Sequence, residues 1–145
     1  MTFLLDVNVV IALIDPTHAG HDAAHRWFED EGHVAWATCP LTENGVIRIV
    51  GHPKYPNSPG SPAAVAVIVS RLRALSGHVF WPDDISLFST PHVDPEQILT
   101  SGQVTDSYLL ALALAHGGRL ATFDRRLSVK AVRGGKAALE VLAGT

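Results

Sequence analysis

A single α/β domain, with a central, mostly parallel sheet flanked by helices on both faces, is predicted by two features of the sequence. Short apolar runs alternate with longer stretches of helical periodicity, and strands joined by helices pair in parallel and are covered on both sides. The chain has 145 residues, 47% hydrophobic and 17% charged. That composition is globular rather than disordered, and at this length folding buries roughly 70% of the unfolded surface. No internal repeat or low-complexity segment divides it, so residues 1–145 read as one domain.

The run "TFLLD" predicts a first strand ending near Asp6, and "VNVVIALID" continues with helix-compatible spacing. In "HDAAHRWFEDEG", Ala24, Trp27 and Phe28 mark a second helix with Gly32 as its stop. "HVAWAT" is the second strand; Pro40 then suits the first turn of a helix through "LTENGVIRIV". "GHPKYPNSPGSP" is an exposed loop, after which "AAVAVIVSRLRAL" is helical. "HVFWP" and "ISLFS" are short strands or turns, and "DPEQILTSG" carries a helix start in Asp94 and Pro95. A long helix "DSYLLALALAH" stops at Gly117 and Gly118, and "RLATF" is expected to be the last strand.

The net charge of -3 excludes a polycation built for nucleic acid, but its distribution is uneven. From Arg119 onward, Arg119, Arg125, Arg126, Lys130, Arg133 and Lys136 face only Asp124 and Glu140, a local excess of 6 − 2 = +4 suited to phosphate or to a solvated face. Cys39, the one cysteine, permits no intrachain disulfide. "FLLDVNVVIALI" lacks a basic leader and carries Asp6 and Asn8, unlike a signal peptide or membrane span. The expectation is a soluble, cytoplasmic protein.

In sheets of this kind ligands bind beyond the carboxyl ends of the strands. Asp6 and Asp124 are expected to end the first and last strands and Asp106 to begin a helix, so all three converge on one edge. Singly they have plain explanations: Asp106 and Glu43 as first-turn helix acids, Asp124 as a turn opener. Together, carboxylates at one mouth repel each other unless a cation neutralises them. Oxygen ligands of this kind suit Mg²⁺ or Mn²⁺, and hence chemistry at phosphate.

The segments "FLLDVNVVIAL", "LTENGVIRI" and "QVTDSYLLALALAHGGRLATFDRRL" resemble the ordered acidic motifs of PIN-domain proteins, specifically VapC-type toxins of bacterial toxin–antitoxin pairs, over nearly the whole chain. In that family the acids come after the first strand, in a later helix, at the opening of the long helix and after the following strand, matching Asp6, Glu43, Asp106 and Asp124. The resemblance implies a PIN-like α/β/α fold and Mg²⁺-dependent endoribonuclease activity. It also implies a homodimer and a VapB-type antitoxin that neutralises the acidic mouth. Asp6 and Asp106 are the expected direct metal ligands, with Glu43 and Asp124 on a second ion or orienting water. Asn8, Thr105, Ser107 and Thr122 lie close enough in sequence to support the ligands. Arg48, Arg125 and Arg126 are candidates for RNA contact.

Two further patterns have plainer readings. His18, His21 and His25 have spacings that can hold Zn²⁺, but solvated histidines are commoner. Trp27, Trp36 and Trp81 can stack on bases but fit core positions in so apolar a chain. The alternative activities are a haloacid-dehalogenase-type phosphatase, weakened by Asn8 where that class has a second aspartate, and an inert PIN-like or receiver-like binding module.

Overall fold

The computed structural model describes residues 1–89 and 91–144. Its five strands are β1 (Phe3–Leu5), β2 (Trp36–Thr38), β3 (His78–Phe80), β4 (Arg119–Thr122) and β5 (Leu139–Val141), in the spatial order β3-β2-β1-β4-β5. Every pairing is parallel, with Leu4 opposite both Ala37 and Leu120. Five α-helices cover the sheet: α1 (Val7–Ile14), α2 (His21–Asp30), α3 (Pro40–Val50), α4 (Pro62–Arg73) and α5 (Gly102–Ala115).

The period-two alternation of β1 divides the core. Phe3 and Leu5 face α1 to α4, among Val9, Phe28, Val46 and Val65, while Leu4 faces α5, among Leu109, Leu112 and Leu120. All of Leu109 to Ala113 is buried without residual exposure, which explains an apolar run that carries no polar face. Gly117 (φ +71°) follows α5 in the left-handed region; its N–H bonds Leu114 O and that of Gly118 bonds Ala113 O, a paired stop that a side chain at Gly117 would strain. Among the described residues no helix is long and apolar enough to cross a membrane.

Several expectations are corrected. The strand in "HVAWAT" contracts to Trp36–Thr38 because Gly32–Val34 forms a 3-10 turn, in which Gly32 lies against the Trp27 ring; a Cβ there would meet Cζ3 at 2.4 Å. Of the strand and turn readings, "HVFWP" takes the strand, as β3, and "ISLFS" takes the turn, over residues 87–89. Asp94 does cap, accepting from Glu96 N, but the structure it starts is only the 3-10 turn Pro95–Gln97. Helix α5 begins at Gly102, not at Asp106, which lies in its second turn. Its start is organised by Gln103, whose Oε1 accepts from Leu99 N (2.8 Å) and Thr100 N (2.9 Å). Nor is β4 the last strand: β5 follows and forms the sheet edge beside it.

Two of the three histidines do different work from either reading. His21 Nδ1 bonds Ala12 O at 2.7 Å and His25 Nε2 bonds Leu13 O at 2.9 Å, so the two rings satisfy carbonyls left open at the end of α1. Trp36 is fully buried and Trp81 nearly so, as core residues. In the basic tail, Arg119 pairs with Glu140, and Arg133 donates to Pro91 O and Val93 O.

Candidate active site

Asp6 stands at the carboxyl end of β1 as the N-cap of α1: Oδ1 accepts from Val7 N at 2.8 Å, and its own N–H donates to Ala121 O. It is only 8% exposed. Its other oxygen accepts from Thr122 Oγ1 at 2.8 Å. Thr122, the last residue of β4, is fully buried, and the same hydroxyl accepts from Asn8 Nδ2 (3.2 Å) and Asp124 N (3.1 Å). A hydroxyl has one proton and two lone pairs, so Thr122 uses everything it has. Asn8 closes the network by accepting from Phe123 N through Oδ1 at 3.3 Å.

Asp124 is exposed two residues beyond β4, its Oδ1 taking the Arg126 N–H in a tight turn. Asp106 is half-buried on α5. Charge from Asp6 and Asp124 reaches Asp106, and charge from Asp124 reaches Asp6. Burial pushes the Asp106 carboxyl above the ordinary carboxylate range, and the charges of Asp6 and Asp124 push it further. Burial likewise raises Asp6, against the hydrogen bonds from Thr122 and Val7, and Asp124 adds to the rise.

Glu43 lies on α3 at the same sheet edge but within a separate set of bonds. Its Oε2 accepts from Thr38 Oγ1 at 2.6 Å and pairs with Arg73 Nε at 3.1 Å. Because Thr38 gives its proton to Glu43, the His78 Nε2 that lies 2.7 Å from the same hydroxyl must be the donor in their bond. Burial and Arg73 hold His78 below the usual imidazole range. Thr38, Arg73 and His78 were missed in the sequence. The signal for Thr38 was present: β2 and β4 both end on a buried threonine whose hydroxyl donates to an acid.

Other candidates fall away from this network. Thr105 is exposed, and Ser107 is fully buried with no partner for its hydroxyl among the described residues, so neither holds Asp106. Arg48, Arg125 and Arg126 are exposed. Among the described residues no lysine, arginine or histidine pairs with Asp6, Asp106 or Asp124. No three acidic, histidine or cysteine side chains there form a ready-made metal cage. An all-oxygen set of mutually repelling carboxylates without a protein cation fits an ion such as Mg²⁺, which keeps most of its waters and takes few carboxylates.

The family model of the PIN domain matches residues 3–133. The chain is 40% identical over 134 residues to ribonuclease VapC44 of Mycobacterium tuberculosis, covering 92% of this chain and 94% of that protein. It is 42% identical over 134 residues to ribonuclease VapC39 of the same organism, covering 92% and 96%. Against ribonuclease VapC38 it is 42% identical over 142 residues, covering 96% of each chain. With a parallel sheet in the order β3-β2-β1-β4-β5 and acids gathered at its carboxyl edge, the chain belongs to the PIN-domain family, among its VapC-type members.

Proposed function

We propose that the protein is a Mg²⁺-dependent endoribonuclease toxin of a VapBC pair, acting in the cytoplasm on RNA and silenced by a VapB-type antitoxin. The observation that carries this reading is the crowding of charge at Asp106, raised by burial and then by Asp6 and Asp124, and at Asp6, raised by burial and then by Asp124, with no cation of the protein paired to any of the three among the described residues. A bound Mg²⁺ or Mn²⁺ would neutralise these charges, acidify a coordinated water and offset charge on the phosphate.

The chain's own residues would do the positioning. Asp6 and Asp106 would hold the ion, with Asp6 fixed by Val7 N–H and Thr122. Asp124 and Glu43 would take a second ion or orient water, Glu43 exchanging its contact with Arg73 for the incoming cation. Asn8 and Thr122 tie β1 to β4 so that Asp6 and Asp124 keep their relative placement. Water oxygen bonds to phosphorus as the P–O3′ bond breaks, leaving a 5′-phosphate and a 3′-hydroxyl. No side-chain nucleophile is required, and the Asn8 position speaks against the phosphatase alternative, whose nucleophile has an aspartate two residues on.

An antitoxin tail bearing arginine fits the same mouth by charge. Leu99 and Val104, which bracket the start of α5, are exposed at 72% and 41% and offer apolar surface to a second protein, in keeping with a homodimer. The test is the chemistry of the ends: RNA cut in Mg²⁺ should be ligatable through 5′-phosphates and uncut in EDTA. Products with 5′-hydroxyls, formed equally in EDTA, would overturn the reading.

A further inference from the structure

The surface holds a recess of about 310 Å³ lined by His18, Gly20, Phe123, Arg125 and Gly144. Two of these residues flank Asp124 in sequence. A Cβ on Gly20 would stand 3.2 Å from Phe123 Cζ and 3.3 Å from His18 Nδ1, so the two rings pack closely over this glycine and a side chain there would push them by a few tenths of an ångström. Phe123 is half-buried, and its N–H is held by Asn8 Oδ1, within the network that orients Asp6. His18 Nδ1 accepts from Gly20 N at 2.9 Å. The proton of a neutral ring therefore sits on Nε2, a donor with no protein partner among the described residues.

His18 also lines a second recess of about 230 Å³, with Asp15, Thr17, Tyr55 and Pro56. Here the proline- and glycine-rich loop is fastened to the end of α1. Asp15, 5% exposed, accepts from the Tyr55 hydroxyl, from Asn57 Nδ2 at 2.7 Å and from both the N–H and the hydroxyl of Thr17. With its hydroxyl committed to Asp15, the Tyr55 ring is held in place beside Pro56 rather than left to be ordered by a ligand.

We propose that these two recesses, joined at His18, bind successive unpaired nucleotides of the RNA strand as it leaves the aspartates, with a base stacked on Phe123. The inference rests on the ribonuclease reading and names which part of the surface grips the strand. A ring, an imidazole donor and an arginine together match a base, its polar edge and a phosphate. The arginine also disfavours a cationic antitoxin tail at this place, so RNA is the occupant the chemistry selects. The first recess is at the lower end of the size range of ligand sites, which suits one nucleotide rather than a duplex.

The test uses short single-stranded RNA of randomised sequence and an abasic strand of the same length, both fluorescent, binding to the full chain carrying Asp106→Asn in Mg²⁺. Wild-type cleavage of the same RNA is followed in parallel. The parent should prefer the base-bearing strand by roughly 5- to 150-fold, the span for bases stacked on aromatic side chains. Adding Phe123→Leu, which also trims a ring packed against the core and so lowers the melting temperature somewhat, should remove most of that preference in a protein still folded at the assay temperature. His18→Asn keeps an acceptor for Gly20 N–H but loses the ring and its far donor; it should weaken the base-bearing strand and leave the abasic strand unaffected. Arg125→Gln should weaken both strands alike and make the salt slope shallower by about 0.7. Equal binding of the two strands by the parent, or undiminished preference after Phe123→Leu, would overturn the inference and leave the recess to a protein tail. If either result came with normal wild-type cleavage, the ribonuclease reading would survive. A folded protein that neither binds nor cuts RNA would end both.

Discussion

Thr122 Oγ1 lies 2.8 Å from Asp6 Oδ2, joining the ends of two neighbouring strands through a hydroxyl that has no bonding capacity left over. Removing the hydroxyl while keeping the shape, Thr122→Val, strands one carboxylate oxygen in a buried place. It should cost about 1–3 kcal/mol of stability and 10- to 100-fold in apparent Mg²⁺ affinity. Thr122→Ser should restore most of both. A Mg²⁺ titration of cleavage across the three proteins is the check; unchanged affinity in the valine variant would remove Thr122 from the site.

Asp106 is held above the ordinary carboxylate range by burial, then by Asp6 and Asp124, so its charge is unfavourable in the folded protein without metal. Asp106→Asn should therefore abolish cleavage yet melt at a higher temperature than wild type in EDTA. The order should reverse in Mg²⁺, which stabilises only a chain that binds it. Thermal denaturation in both buffers measures this, and a variant less stable than wild type in EDTA would contradict the repulsion argument.

Arg73 competes with any cation for Glu43, at 3.1 Å. Arg73 is substantially exposed, so the pair contributes at most about 1 kcal/mol. Replacing Arg73 by Gln should leave stability nearly unchanged while lowering the Mg²⁺ concentration needed for half-maximal cleavage. A higher requirement would show that Arg73 supports Glu43 instead of opposing the metal.

Asp15 supplies a pH signature away from the aspartate cluster. Burial alone would raise its carboxyl, but Tyr55, Asn57 and Thr17 donate to the ionised form and hold it well below the usual range, while Tyr55 is pushed up to about 12. A depressed carboxyl stabilises the fold above the unfolded value near pH 4 and loses that contribution as pH falls through the folded value. Asp15→Asn should cost about 1.5–3 kcal/mol near neutrality. Its deficit relative to wild type should shrink as the pH is lowered below about 4. A deficit independent of pH, in chemical denaturation series, would rule out this linkage.

Much of this organisation was legible because the local signals agree with the fold. Pro40 begins α3, Gly117 and Gly118 end α5, and Asp6 closes the first strand and caps the first helix. The misses share a cause: side-chain bonds between segments distant in sequence. The start of α5 depends on Gln103 reaching back to Leu99 and Thr100, and β5 becomes a strand only by lying beside β4. His21 and His25 looked like a metal pattern because helical spacing places them on one face, yet what they meet there is the open end of α1. Of the four acids, the sequence order alone cannot separate the three coupled aspartates from Glu43, whose partner Arg73 lies on another helix.

The most direct measurement is cleavage of end-labelled total RNA by the purified chain in Mg²⁺, in EDTA, and by the Asp6→Asn and Asp106→Asn variants, with cut sites mapped. Discrete cuts by wild type in Mg²⁺, lost in EDTA and in both variants while their folds persist, are what the carboxylate site predicts. Full cutting by either folded variant, or no cutting by wild type freed of its antitoxin, would contradict it.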